Sequence, residues 1–213
     1  MGRQTQTRER LVRTAGELFW RQGYAQTGVS SIMKQAQATS GSFYHFFPTK
    51  DDLLLAVLDA VAELISTEIL AAAEADSEDP VRRVLALIDV YRDHAGPNPP
   101  GYGIPIGTLA GELGPDHSVA LARVEEIYTI LSSGIAEWLV DVDGSPGLAE
   151  FIVAGLEGAS MMAIAGRNHD PIDVCAEHLR LHLDTLVGEK AARAEEMPPP
   201  DPSTSDAVDW KAW

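Results

Sequence analysis

Gly41-Ser42-Phe43-Tyr44-His45-Phe46-Phe47-Pro48-Thr49-Lys50-Asp51-Asp52-Leu53 sets two helix boundaries side by side. Proline has no N–H and a fixed φ, so a helix approaching Pro48 must stop before it. Thr49 then offers a capping hydroxyl, and Asp51 and Asp52 fall in the first turn of a new helix, where the dipole favours negative charge. Working backward, Thr39 offers an N-cap for a short helix from Ser40 to Phe46. Thr27 offers another for a short helix through Val29, Ile32 and Met33. Leu11, Ala15, Leu18 and Phe19 form an apolar stripe at helical spacing that closes at Gly23, where a left-handed turn is free of steric cost. Working forward, Leu54, Val57, Leu58, Val61, Leu64, Ile65 and Ile69 mark one side of a long fourth helix.

Three short helices in about fifty residues, with a tight turn between the second and third, suit a helix-turn-helix whose last helix enters the DNA major groove. Thr39, Ser40, Gly41 and Ser42 present small polar groups and accessible backbone at the start of that helix, so it can sink into a groove. Tyr44 and His45 supply longer donors one turn on, with reach to flanking phosphates. Lys50, beside a helix N-terminus, suits one phosphate. Phe43, Phe46 and Phe47 read as packing onto the first helix.

The chain has 213 residues, 45% apolar and 23% charged, enough for a large folded core and incompatible with wholesale disorder. Its net charge of −16 is unevenly spread. Residues 1–50 carry seven basic and two acidic groups, a net +5, and residues 51–213 carry nine basic and thirty acidic groups, a net −21. A polyanion would therefore meet attraction only at the N-terminal head. One cysteine, Cys175, excludes an internal disulfide, and the N-terminus shows no apolar export signal, so a cytoplasmic setting is expected. The uncharged run Gly96–Gly111 is interrupted by four prolines and five glycines, so no membrane partner is expected.

No strand-like alternation persists, and the fold class read from the spacing is all-α. Asp79-Pro80, Ser145-Pro146 and Asp170-Pro171 each pair a capping side chain with proline at the first helical position. The helices they open are expected to run to about Ala95, Arg167 and Val187, with another from Asp116 to about Val140. Residues 96–105 read as a loop, and 106–113 as a short helix. The organisation expected is a helix-turn-helix domain over 1–50, a helical effector-binding and dimerisation domain over 51–190, and a flexible Pro/Asp/Ser tail over 191–213 that carries Trp210 and Trp213.

Gly23-Tyr24, Thr27, Val29 and Ile32, followed by the run Gly41 to Leu53, resemble the N-terminal domain of the TetR/AcrR family of transcriptional repressors over about residues 8–58. Gln37 stands where that family often has a glycine in the turn. The resemblance implies an all-helical homodimer that binds a near-palindromic operator and is released by a small-molecule effector. Thr27, Ser40, Ser42, Tyr44, His45 and Lys50 match the family's DNA-contacting places. Gly103-Ile104-Pro105-Ile106-Gly107-Thr108-Leu109-Ala110 with Glu112, and Leu156-Glu157-Gly158-Ala159, resemble one branch of the family. That branch often has cysteine where Ile104 stands, so no thiol role carries over.

One recognition helix reads too few bases, and two heads on a two-fold axis double the reading. The family's dimers usually form through their last two long helices, and Ala154, Gly155, Gly158 and Ala159 would allow close approach there. Tyr91, Leu109, Trp138, Met161 and Met162 could line an effector cavity, with His94 or Glu112 as polar handles. His178 and His182, four apart on one helix, could face a metal in an enzyme, but HExxH spacing is absent. No nucleophile elbow or glycine-rich phosphate loop is present, and neither cofactor nor catalytic residue is expected. A ligand-responsive activator on the same scaffold is the other alternative.

Overall fold

The computed structural model describes residues 2–94, 106–140, 142 and 147–196. The α1 helix (Gly2–Gln22) buries Leu11, Ala15, Leu18 and Phe19 along one side and ends at Gly23, whose φ of +86° needs a residue without Cβ. The second helix, α2 (Val29–Gln35), starts one residue later than the capping pattern predicts. Gly28 holds the cap position, and Thr27 is not the cap. The Thr27 side chain is fully buried, donating to the Gly23 carbonyl at 2.6 Å and accepting from Gln22 Nε2 at 3.2 Å. A carbonyl inside the turn has no water to bond, so it claims the hydroxyl ahead of the helix end.

The corner between α2 and α3 (Ser40–Phe46) passes through Gln37 at φ +51°. Ala38 N–H reaches the Met33 carbonyl at 2.9 Å and Gln37 N–H the Lys34 carbonyl at 3.3 Å. This pair of bonds closes a helix end around one left-handed residue. A side chain in that conformation costs about 1 kcal/mol, which the two bonds offset. Thr39 caps α3 by accepting from Ser42 N–H at 3.1 Å. Phe43 and Phe47 are buried against α1, and Phe46 is half-buried.

A reciprocal capping box opens α4 (Lys50–Leu64): Thr49 Oγ1 accepts from Asp52 N–H at 3.1 Å, and Asp52 accepts from Thr49 N–H at 2.8 Å. The helix continues through a π-helical turn, Ile65–Leu70, into α5 (Ala71–Asp76). Ser66 and Thr67 donate back to the carbonyls of Ala62 and Glu63, a pattern that bends helices. The displaced Leu70 fills the space left by Gly134, where an added Cβ would lie 2.9 Å from it.

The remaining elements are α6 (Pro80–His94), α7 (Ile106–Glu112), a 3-10 turn (Pro115–His117), α8 (Ser118–Trp138), α9 (Leu148–Gly166) and α10 (Asp170–Glu196). No strand occurs among the described residues. Asp79 caps α6 as predicted, accepting from Arg82 N–H at 2.9 Å. Ser145 and Pro146 lie outside the described residues, and α9 begins at Leu148 after a left-handed Gly147. Asp170 is not a cap but the first residue of α10, and the His169 carbonyl accepts the first helical bonds. Past Val187, the expected end, α10 continues to Glu196, because a run rich in Ala, Glu and Lys outweighs Gly188. The tail beyond Glu196 lies outside the described residues.

The rod formed by α4, the π turn and α5 belongs to both halves of the molecule, packing on α1 at one end and on α8 and α6 further along. The most apolar helix, α9, is long and apolar enough by composition to cross a bilayer, but half of it is buried here, mainly against α10 and α8. Arg180 of α10 pairs with Asp89 of α6, which also meets Arg92 at 3.2 Å. At the end of the rod away from the head, Asp76, Asp79, Asp89 and Asp184 line a groove of about 730 Å³ together with Arg82.

Replacing Thr27 with valine keeps the shape and removes the hydroxyl. Leaving the Gly23 carbonyl without its buried donor should destabilise the protein by about 1–3 kcal/mol, read from urea unfolding, whereas Thr27→Ser should retain most of the stability.

Candidate nucleic-acid interface and effector site

The surface of α3 is built by the burial of its opposite side. With Phe43 and Phe47 inside, Thr39, Ser40, Gly41, Tyr44 and His45 face solvent, and Ser42 is half-exposed. Tyr44 is 55% exposed although its ring meets Phe43 edge-on at 5.2 Å. A Cβ added at Gly41 would touch nothing within 4 Å, so the helix start presents bare backbone outward. Thr27 does not join this face, being enclosed in the α1–α2 turn.

Several cations of the head are occupied in holding it together. Arg10 Nε donates to the Ala36 carbonyl at 3.2 Å, bracing the end of α2. The Arg8 guanidinium lies 5.6 Å from the centre of the Phe47 ring. Lys50 donates to the Tyr24 carbonyl at 2.7 Å and sits 4.0 Å over the Tyr24 ring. Burial lowers the Lys50 pKa, and the nearby Asp51 and Glu112 charges oppose that shift. An ammonium has three donors, so this bond leaves Lys50 capacity for a further acceptor.

The head meets the body around Tyr24. Its phenol donates to Asp51, and burial followed by that carboxylate pushes its pKa up. His117, on the 3-10 turn, meets the Tyr24 ring edge-on at 5.6 Å, and its Nε2 lies 3.9 Å from Asp51. Glu112, expected as a polar handle in the cavity, instead reaches across to the head and accepts from Ala25 N–H at 2.9 Å. The carboxylate can come this close only because residue 23 is glycine, since a Cβ there would lie 2.6 Å from Glu112 Oε1.

Inside the body the polar centre is Glu157, 8% exposed in the middle of apolar α9. Its carboxylate accepts from Tyr91 OH at 3.1 Å, Gly107 N–H at 2.9 Å and Tyr128 OH at 3.2 Å, and the Tyr91 and Ser160 hydroxyls lie 3.0 Å apart. Burial raises the Glu157 pKa, and the three hydrogen bonds pull it back. The Tyr128 phenol is also pushed up, first by burial and then by the Glu157 charge. Sequence reasoning selected Tyr91 but missed Glu157, Tyr128 and Ser160. The available signal was a carboxylate set mid-helix among apolar and small residues, unlike Glu150 in the first turn of the same helix.

The other expected pocket residues lie in different places. Trp138 is buried at the end of α8 and donates to Glu74 at 3.1 Å, far along the rod. Leu109 is core. Met162 is 65% exposed on the outer side of α9; Met161, one turn after Glu157, is 54% exposed but brings its Sδ within 3.8 Å of where a Cβ on Gly107 would lie, beside the Glu157 cluster. The side chain of His94, and Ile104 entirely, lie outside the described residues.

Exposed Phe151, Ala154, Gly158 and Met162 recur at helical spacing along α9, with Val174 and Leu181 exposed on α10. The small residues divide: Ala154 and Gly158 face out, whereas Gly155 approaches Cys175 and Ala159 is buried. His178, His182 and Cys175 line a shallow apolar groove of about 570 Å³ with Phe151 and Leu179. Burial raises the Cys175 pKa, the opposite of an activated thiol. No set of three metal-holding side chains occurs among the described residues.

An all-helical chain with an N-terminal helix-turn-helix and an outward polar third helix defines a DNA-binding regulator of the helix-turn-helix class. Residues 11–57 match the family of bacterial regulatory proteins of the tetR type, and residues 80–178 match the C-terminal domain of LmrA/YxaF-like transcriptional regulators. The chain belongs to the TetR family of transcriptional regulators. It is 26% identical to the uncharacterized HTH-type transcriptional regulator YxaF of Bacillus subtilis, covering 81% of this chain and 93% of that one. It is 27% identical to the HTH-type transcriptional repressor DhaR of a Mycobacterium species, over 79% and 88% of the two chains. The crystal structure of a TetR transcriptional regulator from Chloroflexus aurantiacus superposes with a TM-score of 0.73 at 29% identity, over 86% and 97% of the two chains. The family and these relatives are regulators and not enzymes.

The raised Glu157 pKa fixes the sign of one pH effect. The folded protein holds this proton more tightly than the unfolded chain, whose carboxyl titrates near ~4.3. The contribution to stability is full below that value and is lost as pH rises through the elevated folded pKa. Glu157→Gln lacks this loss, so its stability relative to the parent, from urea unfolding across a pH series, should increase from acidic to neutral pH.

Proposed function

We propose that the protein is a transcriptional repressor that binds a near-palindromic operator as a homodimer and is released by a small-molecule effector. The observation that carries this reading is the outward face of α3: a Thr39-capped helix showing Ser40, Gly41, Tyr44 and His45 to solvent over a buried Phe43 and Phe47. Ser42 and Gly41 read base edges, while Tyr44, His45 and Lys50 contact backbone phosphates. Thr27 contributes through the turn it holds. The word repressor rests on the name of the DhaR relative.

A second copy covers the exposed stripes of α9 and α10, including Phe151, Met162, Val174 and Leu181. Four helices then bury an apolar seam and set the two heads about 34 Å apart, one turn of DNA, or a multiple of that spacing. His178 and His182 belong to this seam and not to a metal centre. The effector binds at the Glu157 cluster, with Tyr91, Tyr128 and Ser160 as polar contacts. It shifts the tilt of the α4 rod, and its differential affinity for the two tilts sets the response. The protein acts in the cytoplasm, where its operator is.

Fluorescence anisotropy with an inverted repeat from the adjacent promoter tests this. If six phosphates are neutralised per dimer, the log–log salt slope should be about −5; a flat response would refute operator binding through the cationic head. Gly41→Ala adds a methyl that meets nothing inside the protein, so thermal unfolding should be unchanged or slightly raised. The same variant should bind operator more weakly by about tenfold, a loss of roughly 1.4 kcal/mol at the groove contact.

A further inference from the structure

The short helix α7 is tied at both ends by bonds between a carboxylate and a backbone N–H. At its first turn, Gly107 N–H donates to buried Glu157 at 2.9 Å. At its last residue, Glu112 accepts from Ala25 N–H of the head, also at 2.9 Å. Each approach depends on a missing side chain. A Cβ on Gly107 would lie 2.9 Å from Glu157 Oε2, and one on Gly23 would lie 2.6 Å from Glu112 Oε1. Ile106, just before Gly107, and Leu109, between the ends, are buried, so α7 is seated as a stiff unit. Five residues of helix span only about 7.5 Å, so a shift at one end reaches the other with little slack.

We propose that α7 is a hydrogen-bonded link that carries a change at the Glu157 cluster to the α1–α2 turn, with Gly107 and Glu112 as its positioning ends. This route is separate from the tilt of α4, because it acts on the turn itself through the Ala25 amide. A ligand that draws the Glu157 carboxylate toward itself pulls on Gly107 N–H, moves α7, and loosens or re-aims Glu112. The turn that encloses Thr27 and supports Lys50 through the Tyr24 carbonyl then shifts. The role of Glu157 as the ligand-facing end rests on the effector reading above; the mechanical link does not.

Amide hydrogen exchange at Ala25, followed by NMR in the full chain without DNA or ligand, tests the link. Glu112→Ala removes the acceptor and should speed exchange at Ala25 by about tenfold. Gly107→Ala touches only the distant end and should also speed it. Should that variant fail to fold, Glu157→Gln weakens the same end by replacing a charged acceptor with a neutral one, and should change Ala25 exchange in the same direction. Gly134→Ala inserts a comparable wedge against Leu70, away from α7, and should leave Ala25 as in the parent. An unchanged Ala25 in both Gly107→Ala and Glu157→Gln overturns the link, as does equal acceleration by Gly134→Ala, which would mean general loosening. Neither result depends on operator binding, so failure here and failure of the repressor reading are separately visible.

Discussion

The structure depends on one shared helix. Leu53, Leu54, Val57, Leu58 and Val61 of the α4 rod are buried on the side of the helix-turn-helix, and Ile65 and Ile69, further along, are equally enclosed where the π turn packs on α8 and α6. At roughly 25 cal/mol per Å² of apolar surface removed from water, each such side chain contributes about 1.5–3 kcal/mol. Because the contributions sit on one rigid element, neither half has a complete core without the rod. The capping box at Thr49 and Asp52 fixes where the rod starts, directly after the helix that faces outward. The head is therefore not tethered by a flexible linker, and its position is set by helix packing.

Around that rod, polar groups are spent at two places where apolar packing alone would have sufficed for folding. One is the junction, where Tyr24 gathers Lys50, Asp51 and His117 while Glu112 bonds the next amide. The other is the Glu157 cluster, where a carboxylate is held by two phenols and an amide in an otherwise greasy helix. Burying a carboxylate costs several kcal/mol unless hydrogen bonds compensate it. A leucine at 157 would satisfy the packing of α9 more cheaply. The carboxylate instead holds α9 to α6, α7 and α8 through Tyr91, Gly107 and Tyr128.

The helical framework was legible because its signals are local. The stripe of α1, the Thr39 cap, the stop at Pro48 and the box at Thr49 are each decided within a few residues, and the structure places all of them as read. What stayed hidden was decided by distant parts of the chain. Thr27 looks like a cap from its neighbours, but the Gly23 carbonyl takes its hydroxyl. Glu112 lies on a helix face that gives no hint of the turn 87 residues away to which it bonds. Met162 has the chemistry of pocket lining, yet helical phase turns it outward, whereas Met161, one turn after Glu157, brings its sulfur to Gly107. Gln37 shows the limit in the other direction: where the resembled family often has glycine, two backbone bonds suffice to hold a glutamine in the left-handed conformation.

The groove lined by Asp76, Asp79 and Asp184, with Asp89 paired to Arg180 and Arg92 and with Arg82 beside them, sits at the opposite pole of the rod from the cationic head and keeps an excess of acid. A molecule so charged is an electric dipole with a long lever arm. Within a Debye length of a polyanion, about 8 Å at physiological salt, a body-first approach is repelled and a head-first approach is not. The excess of acid over base in the body, wasteful for attraction, works as a rudder.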